Sequence, residues 1–156
     1  MNKTLTKLCL VLVTMFAMES IPAQDLDAAA VKKAVQSKNF VFKAQTAYPM
    51  GGSSRYLTPG YDLKVSGDSL VTYLPYFGRA YVAPANGEGP ISFTSTNFSF
   101  KAKQKKKNSW EITIDPGDAE DVREMVLRIF ENGHATLSVL SNNRQSISFS
   151  GIVEIK

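Results

Sequence analysis

From Phe40 to the end of the chain, apolar and polar side chains take turns. Phe40, Phe42 and Ala44 alternate with Val41, Lys43 and Gln45, and Phe98, Phe100 and Ala102 with Asn97, Ser99, Lys101 and Lys103. Trp110, Ile112 and Ile114 alternate with Glu111 and Thr113; Ile147, Phe149, Val153 and Ile155 alternate with Ser146, Ser148, Glu154 and Lys156. Successive side chains of a strand point to opposite faces, so this period of two predicts antiparallel strands covering a single core. A stretch of helical composition precedes them. Asp25–Lys38 (DLDAAAVKKAVQSK) places Asp25 and Asp27 at its start and Lys32, Lys33 and Lys38 toward its end, matching the signs of the helix dipole. Its apolar face is mostly alanine, which predicts light packing on something larger. Asn39 is the expected left-handed exit residue.

Turn registers follow from the same alternation, because residues opposed across a hairpin share a face. Within Glu124–Leu140 a two-residue Asn132-Gly133 turn would set Arg128 against Leu137 and mix faces. A three-residue Glu131–Gly133 loop, with Gly133 left-handed in a bulge, sets Ile129 against Ala135, Leu127 against Leu137 and Met125 against Val139. The second register is expected. By the same rule Asn142, Asn143 and Arg144 form a loop that sets Val139 against Ile147. Lys105, Lys106 and Lys107 form a tip that sets Ala102 against Trp110 and Phe100 against Ile112. Tyr61–Tyr73, turning at Ser66-Gly67-Asp68, adds another hairpin. The chain is therefore expected to be mainly β: an antiparallel meander of about eight strands, rolled into a barrel or a strongly curved sheet, with one short N-terminal helix. Met50–Gly60 and Ala83–Pro90 are its loop-rich stretches.

Strict alternation breaks in TYLPYFGRAYVAP, Thr72–Pro84. Tyr73, Pro75 and Phe77 fall on one side, Leu74 and Tyr76 on the other, and both sides are apolar. Pro75 cannot donate to a ladder and Gly78 permits a bend or bulge, so this strand is expected to leave the sheet, kink and resume. One reading is aromatic filling at a barrel corner. The other is a rim surface where Tyr73, Tyr76, Phe77, Arg79 and Tyr81 meet a ligand or partner, since tyrosine and arginine carry binding energy in such patches. Asn142, Asn143 and Arg144, with Gln145, are a second candidate, set against the ordinary use of such residues in satisfying their own turn. Lys101, Lys103, Lys105, Lys106 and Lys107 line one hairpin's outer face and tip. Solvation and edge protection are the ordinary role, and weak contact with an anionic envelope surface is the functional one.

The first residues add a destination. Lys3 and Lys7 precede the apolar run Leu8–Met18, and a more polar segment ending near Ala23 follows. This is the pattern of a secretory signal peptide, too short for a membrane-spanning helix, with cleavage expected after Ala23. Residues 24–156 would form one domain, exported and periplasmic or otherwise envelope-associated. The single cysteine of the chain, Cys9, lies in the removed segment, so the mature chain has no disulfide and no thiolate. Losing two lysines and one glutamate takes the formal charge from +4 to +3, which gives no argument for nucleic acid.

Tyr73-Leu74-Pro75-Tyr76-Phe77-Gly78-Arg79-Ala80-Tyr81, then Gly87-Glu88-Gly89, Asn132-Gly133 and Ser141–Ser148 carry a resemblance that spans nearly the whole mature chain. In these motifs the chain resembles the exported bacterial family called domain of unknown function 4251. The resemblance implies a lipocalin-like β-barrel and a Gram-negative envelope location. It implies no activity, and no functional residue is carried over from it.

Catalytic chemistry is sparse. The only histidine, His134, falls on the outer face with Arg128 and Thr136, and no G-x-S-x-G elbow accompanies it. One histidine without cysteine leaves no nitrogen–sulfur metal site, and no cofactor is expected. Asp115, Asp118, Glu120 and Asp121 crowd one acidic loop that lacks EF-hand spacing. The leading expectation is a non-enzymatic protein binding a small apolar or amphiphilic ligand, or a protein partner, near Tyr73–Tyr81. A structural or inhibitory envelope module is the alternative, and a hydrolase using Asp or Glu of the acidic loop the third reading.

Overall fold

The computed structural model describes residues 26–81 and 89–155. The expected signal peptide, Asp25 and most of the Ala83–Pro90 stretch lie outside the described residues. One helix, α1 (Ala28–Gln36), precedes ten strands: β1 (Asn39–Pro49), β2 (Arg55–Tyr56), β3 (Asp62–Ser66), β4 (Ser69–Leu74), β5 (Ile91–Ser95), β6 (Phe98–Gln104), β7 (Trp110–Pro116), β8 (Val122–Ile129), β9 (His134–Ser141) and β10 (Ile147–Ile155). The two-residue β2 lies inside the stretch taken from sequence as loop, which is one reason that the strand number exceeds eight.

All pairings are antiparallel, in the order β5-β4-β3-β1-β10-β9-β8-β7-β6, with β2 also on β1. The two strands that end this order, β5 and β6, are consecutive in the chain, separated only by Thr96 and Asn97. One kinked stretch thus pairs with β4 through its first half and β7 through its second, leaving the sheet nearly closed into a barrel. Closure of this kind removes the exposed edges that invite aggregation.

The expected registers at two turns are those observed. Ile129 faces Ala135, Leu127 faces Leu137 and Met125 faces Val139, and Gly133 is left-handed at φ 80°. Val139 faces Ile147. The lysine turn differs: Ala102 faces Ile112, Phe100 faces Ile114, and Gln104 faces Trp110. The loop there is longer than three residues, closed by Lys105 N–H donating to the Ser109 carbonyl at 2.8 Å, with Lys107 and Asn108 both left-handed. A two-residue shift keeps every side chain on its face, so alternation alone could not detect it.

The interior is filled by side chains. Phe40, Phe42, Phe149, Met125, Leu127 and Leu137 are each fully buried within one cluster. Burying a side chain of this size contributes about 1.5–3 kcal/mol relative to leaving it in water. Where β1 crosses β10, a bulge at Gln45 shifts the inward phase from Ala44 to Ala47. Gly151 faces Ala44 there, and a Cβ at Gly151 would collide with the Lys43 carbonyl. Only glycine fits that crossing.

Asp27 caps α1 by accepting from the Ala29 N–H at 2.7 Å. The helix packs more firmly than its alanines suggested, since Val31, Ala34 and Val35 all enter the barrel's cluster and Leu26 lies against Gly133. Its left-handed exit residue is Lys38 (φ 51°) rather than Asn39, which opens β1. The reason is tertiary: the Lys38 carbonyl accepts from Gly67 N–H at 2.8 Å, tying the helix end to the β3–β4 turn. The helix therefore covers the barrel end that carries the β3–β4 and β8–β9 turns. The loops after β1, β7 and β9, with the Pro75–Tyr81 segment that follows β4, gather at the other end.

Candidate functional site

At that other end β4 stops at Leu74 and the chain turns outward at the buried Pro75. The expected return to a strand does not occur. Arg79–Tyr81 instead runs beside the β9–β10 connection: Tyr81 N–H donates to the Asn143 carbonyl at 2.8 Å, Gln145 N–H to the Arg79 carbonyl at 3.1 Å, and Arg79 N–H to Gln145 Oε1 at 3.2 Å. Ala80 makes a single antiparallel bridge with Arg144. Two stretches that the sequence offered as separate candidates are thus one rim.

Tyr76 is its keystone. Its hydroxyl lies 3.1 Å from the Arg79 carbonyl and 3.0 Å from that of Gln145, so one proton serves both sides of the rim. Burial pushes the phenol's pKa up, against the opposing pull of the Arg144 charge. The Arg144 guanidinium sits 4.9 Å from the ring centroid, in cation–π contact. Arg144 is only 8% exposed. Its Nη1 donates to the Gly89 carbonyl at 2.8 Å, and its Nε forms an ion pair with Asp121, a close charge contact rather than an aligned hydrogen bond. Both Asp121 oxygens are buried, so this pair is what compensates their charge. Gly78 lies under the phenol: a Cβ there would stand 2.5 Å from the Tyr76 oxygen and 2.8 Å from Cζ. The chain bends at Gly78, as expected, and the missing side chain also provides room for a ring.

Beside this keystone opens a cleft of about 780 Å³, lined by Pro49, Gly51, Gly52, Ser53 and Arg55 from the loop after β1, and by Tyr76, Phe77, Gly78, Arg79 and Gln145. The Arg55 guanidinium lies 4.7 Å from the centroid of Phe77. The lining holds two arginines and no carboxylate side chain. Of the residues singled out from sequence, Tyr76, Phe77, Arg79 and Gln145 line it. Arg144 braces it from behind. Tyr73 stands on the outer wall, stacked on Tyr61 at 5.5 Å, and Tyr81 is 69% exposed outside the lining. Asn142 and Asn143 serve the rim's backbone, the former donating to the carbonyls of Asp121 (2.9 Å) and Glu120 (3.4 Å). Arg55 was not singled out as a ligand contact. The available signal for Arg55 was a cation inside the glycine-rich Met50–Gly60 stretch.

The acidic loop is used structurally. Gly117 N–H donates to the Asn97 carbonyl at 3.0 Å. The nearby Ser95 hydroxyl, which makes no aligned hydrogen bond, holds the Asp118 carboxyl below its ordinary range against the opposing effect of burial, and the backbone amides of Asp118, Thr96 and Asn97 add to it. This loop therefore fastens the β5–β6 kink by Asp118 and the rim by Asp121. The five hairpin lysines are all exposed, and Lys105 pairs with Glu111 at 3.1 Å. His134 is exposed and borders a second hollow, about 350 Å³, with Lys106, Lys107, Ser109, Phe130, Glu131 and Asn132. Among the described residues no group of three His, Cys, Asp or Glu side chains is placed to hold a metal, and no helix is long and apolar enough to cross a membrane.

Fold and site together define a small, nearly closed antiparallel barrel with a solid interior and a cationic cleft on its rim. The sequence profile of the domain of unknown function 4251 matches residues 23–153, and the chain belongs to that family. Among solved structures it is similar to a crystal structure of a DUF4251 family protein from Bacteroides eggerthii DSM 20697, with a TM-score of 0.64 and 18% identity over 83% of this chain and 89% of that one. At that identity the likeness establishes the fold. No curated protein sequence matches the chain.

Proposed function

We propose that this is an exported, non-enzymatic binding protein of the cell envelope, and that the cleft beside Tyr76 and Phe77 is where it takes a small amphiphilic ligand. The N-terminal sequence pattern supports export. The observation that carries the binding reading is the cleft itself: about 780 Å³, within the range of small-molecule sites, with apolar rings and a few convergent polar groups on a braced rim. The filled interior directs the ligand to the rim rather than to a lumen. Two of the acidic-loop carboxylates, Asp118 beside the β5–β6 kink and Asp121 paired with Arg144, are engaged structurally, which weighs against their use in hydrolysis.

Native mass spectrometry of the protein purified without detergent tests this. A small-molecule mass increment that solvent strips away is expected, and it should be lost in Ser53→Trp, which fills the cleft. A bare polypeptide mass, together with no binding of added amphiphiles, would contradict the proposal.

A second reading, docking of a protein partner, is favoured by exposed tyrosines: Tyr56 is 93% and Tyr81 69% exposed. A stoichiometric partner recovered from envelope extract, and lost in Tyr81→Ala, would support it. A clean monomer would not.

A further inference from the structure

We infer that the cleft selects anionic amphiphiles, with Arg55 and Arg79 receiving the charged head and Phe77 the apolar body; this rests on the cleft being the binding site. Both arginines line the cavity and no carboxylate side chain does. Among the described residues neither guanidinium has a carboxylate partner within 4.0 Å, whereas Arg128 and Arg144 both do. A neutral ligand entering here would strip water from two uncompensated cations. An anion offsets that cost with charge-assisted hydrogen bonds. The guanidinium's planar fork fits carboxylate, sulfonate or phosphate oxygens in pairs.

The apolar half of the ligand has its own surface. Phe77 packs against the core and turns a face to Arg55 at 4.7 Å, with Pro49 and the Tyr76 ring nearby in the same lining. Cation above, ring below and an open mouth suit a head-and-tail molecule better than a bare ion. The second hollow contrasts with this, since its lysines share the lining with Glu131.

Two dyes of similar hydrophobic body separate the claims. 8-Anilinonaphthalene-1-sulfonate carries an anionic head, and N-phenyl-1-naphthylamine has none. In fluorescence titrations the sulfonate should bind at least about tenfold more tightly. Arg55→Gln and Arg79→Gln should each weaken it about tenfold, the scale of one charge-assisted hydrogen bond. Arg79→Lys should retain part of the affinity, while Lys106→Gln should change nothing and the neutral dye should stay within about twofold throughout. Sodium laurate should displace the sulfonate, and inorganic phosphate at equal concentration should not. Equal affinity for the two dyes, indifferent to both arginines, would overturn the anionic selectivity and leave the cleft reading standing. Displacement by phosphate alone would overturn the amphiphile. Binding of neither dye would overturn the cleft reading itself.

Discussion

At the scale of single residues, the rim depends on a few side chains that carry little sign of it in the sequence. Gly78 gives way to the Tyr76 phenol, and Arg144 holds Asp121, Gly89 and the Tyr76 ring together. Gly78→Val should therefore destabilise the protein far more than Lys106→Ala, which removes only an exposed charge. Equal melting temperatures for the two variants would refute that account. Arg144→Met should cost about 3 kcal/mol in urea unfolding, because it strands a buried carboxylate. Adding Asp121→Asn should recover part of the loss, and strict additivity of the two changes would show that they do not form a pair. Tyr76 was visible as a candidate because alternation failed around it. What it does there, holding two chain segments 69 residues apart, was not. No local pattern encodes which distant carbonyl a hydroxyl will find.

At the scale of elements, alternation carried most of the sheet. The β8–β9 and β9–β10 registers followed from face matching because a one-residue error would turn Leu127 and Leu137 to water. The β6–β7 register slipped by two, since neither face changes and the loop's left-handed pair, Lys107-Asn108, contains no glycine to announce it. The helix exit moved from Asn39 to Lys38 for a tertiary reason, the bond from Gly67. The acidic loop was legible as a cluster of charges but not as a fastening, because the residues it meets, Ser95 to Asn97 at the β5–β6 kink, lie about twenty positions earlier in the chain. Its role carries a pH signature. The Asp118 carboxyl has a folded pKa below its unfolded value of about 3.9. Its contribution is thus fully present above the unfolded value and lost as pH falls through the folded one. Asp118→Asn should be less stable than the parent at pH 7, and the gap in urea midpoints should narrow at pH 3. A gap independent of pH would show that the charge is not what matters.

At the scale of the whole molecule, the barrel uses its two ends differently. One end is sealed by α1, whose Val31, Ala34 and Val35 join the core, and the interior is packed between them. The other end gathers the loops that the hairpin pattern leaves over, and the cleft lies among those loops. This division explains why the fold was readable from periodicity while the cleft was not. The wall obeys a repeating rule, whereas the cleft is assembled from Gly51–Arg55, Phe77–Arg79 and Gln145, which meet only after the barrel has closed. The most direct test of that picture is a ¹H–¹⁵N NMR titration of the purified protein with sodium laurate. Saturable amide shifts should cluster at Gly51–Arg55, Phe77–Arg79 and Gln145, with the amides of Leu127 and Phe149 unmoved. Shifts centred on α1 or on those interior strands, or no saturable shifts at all, would contradict it.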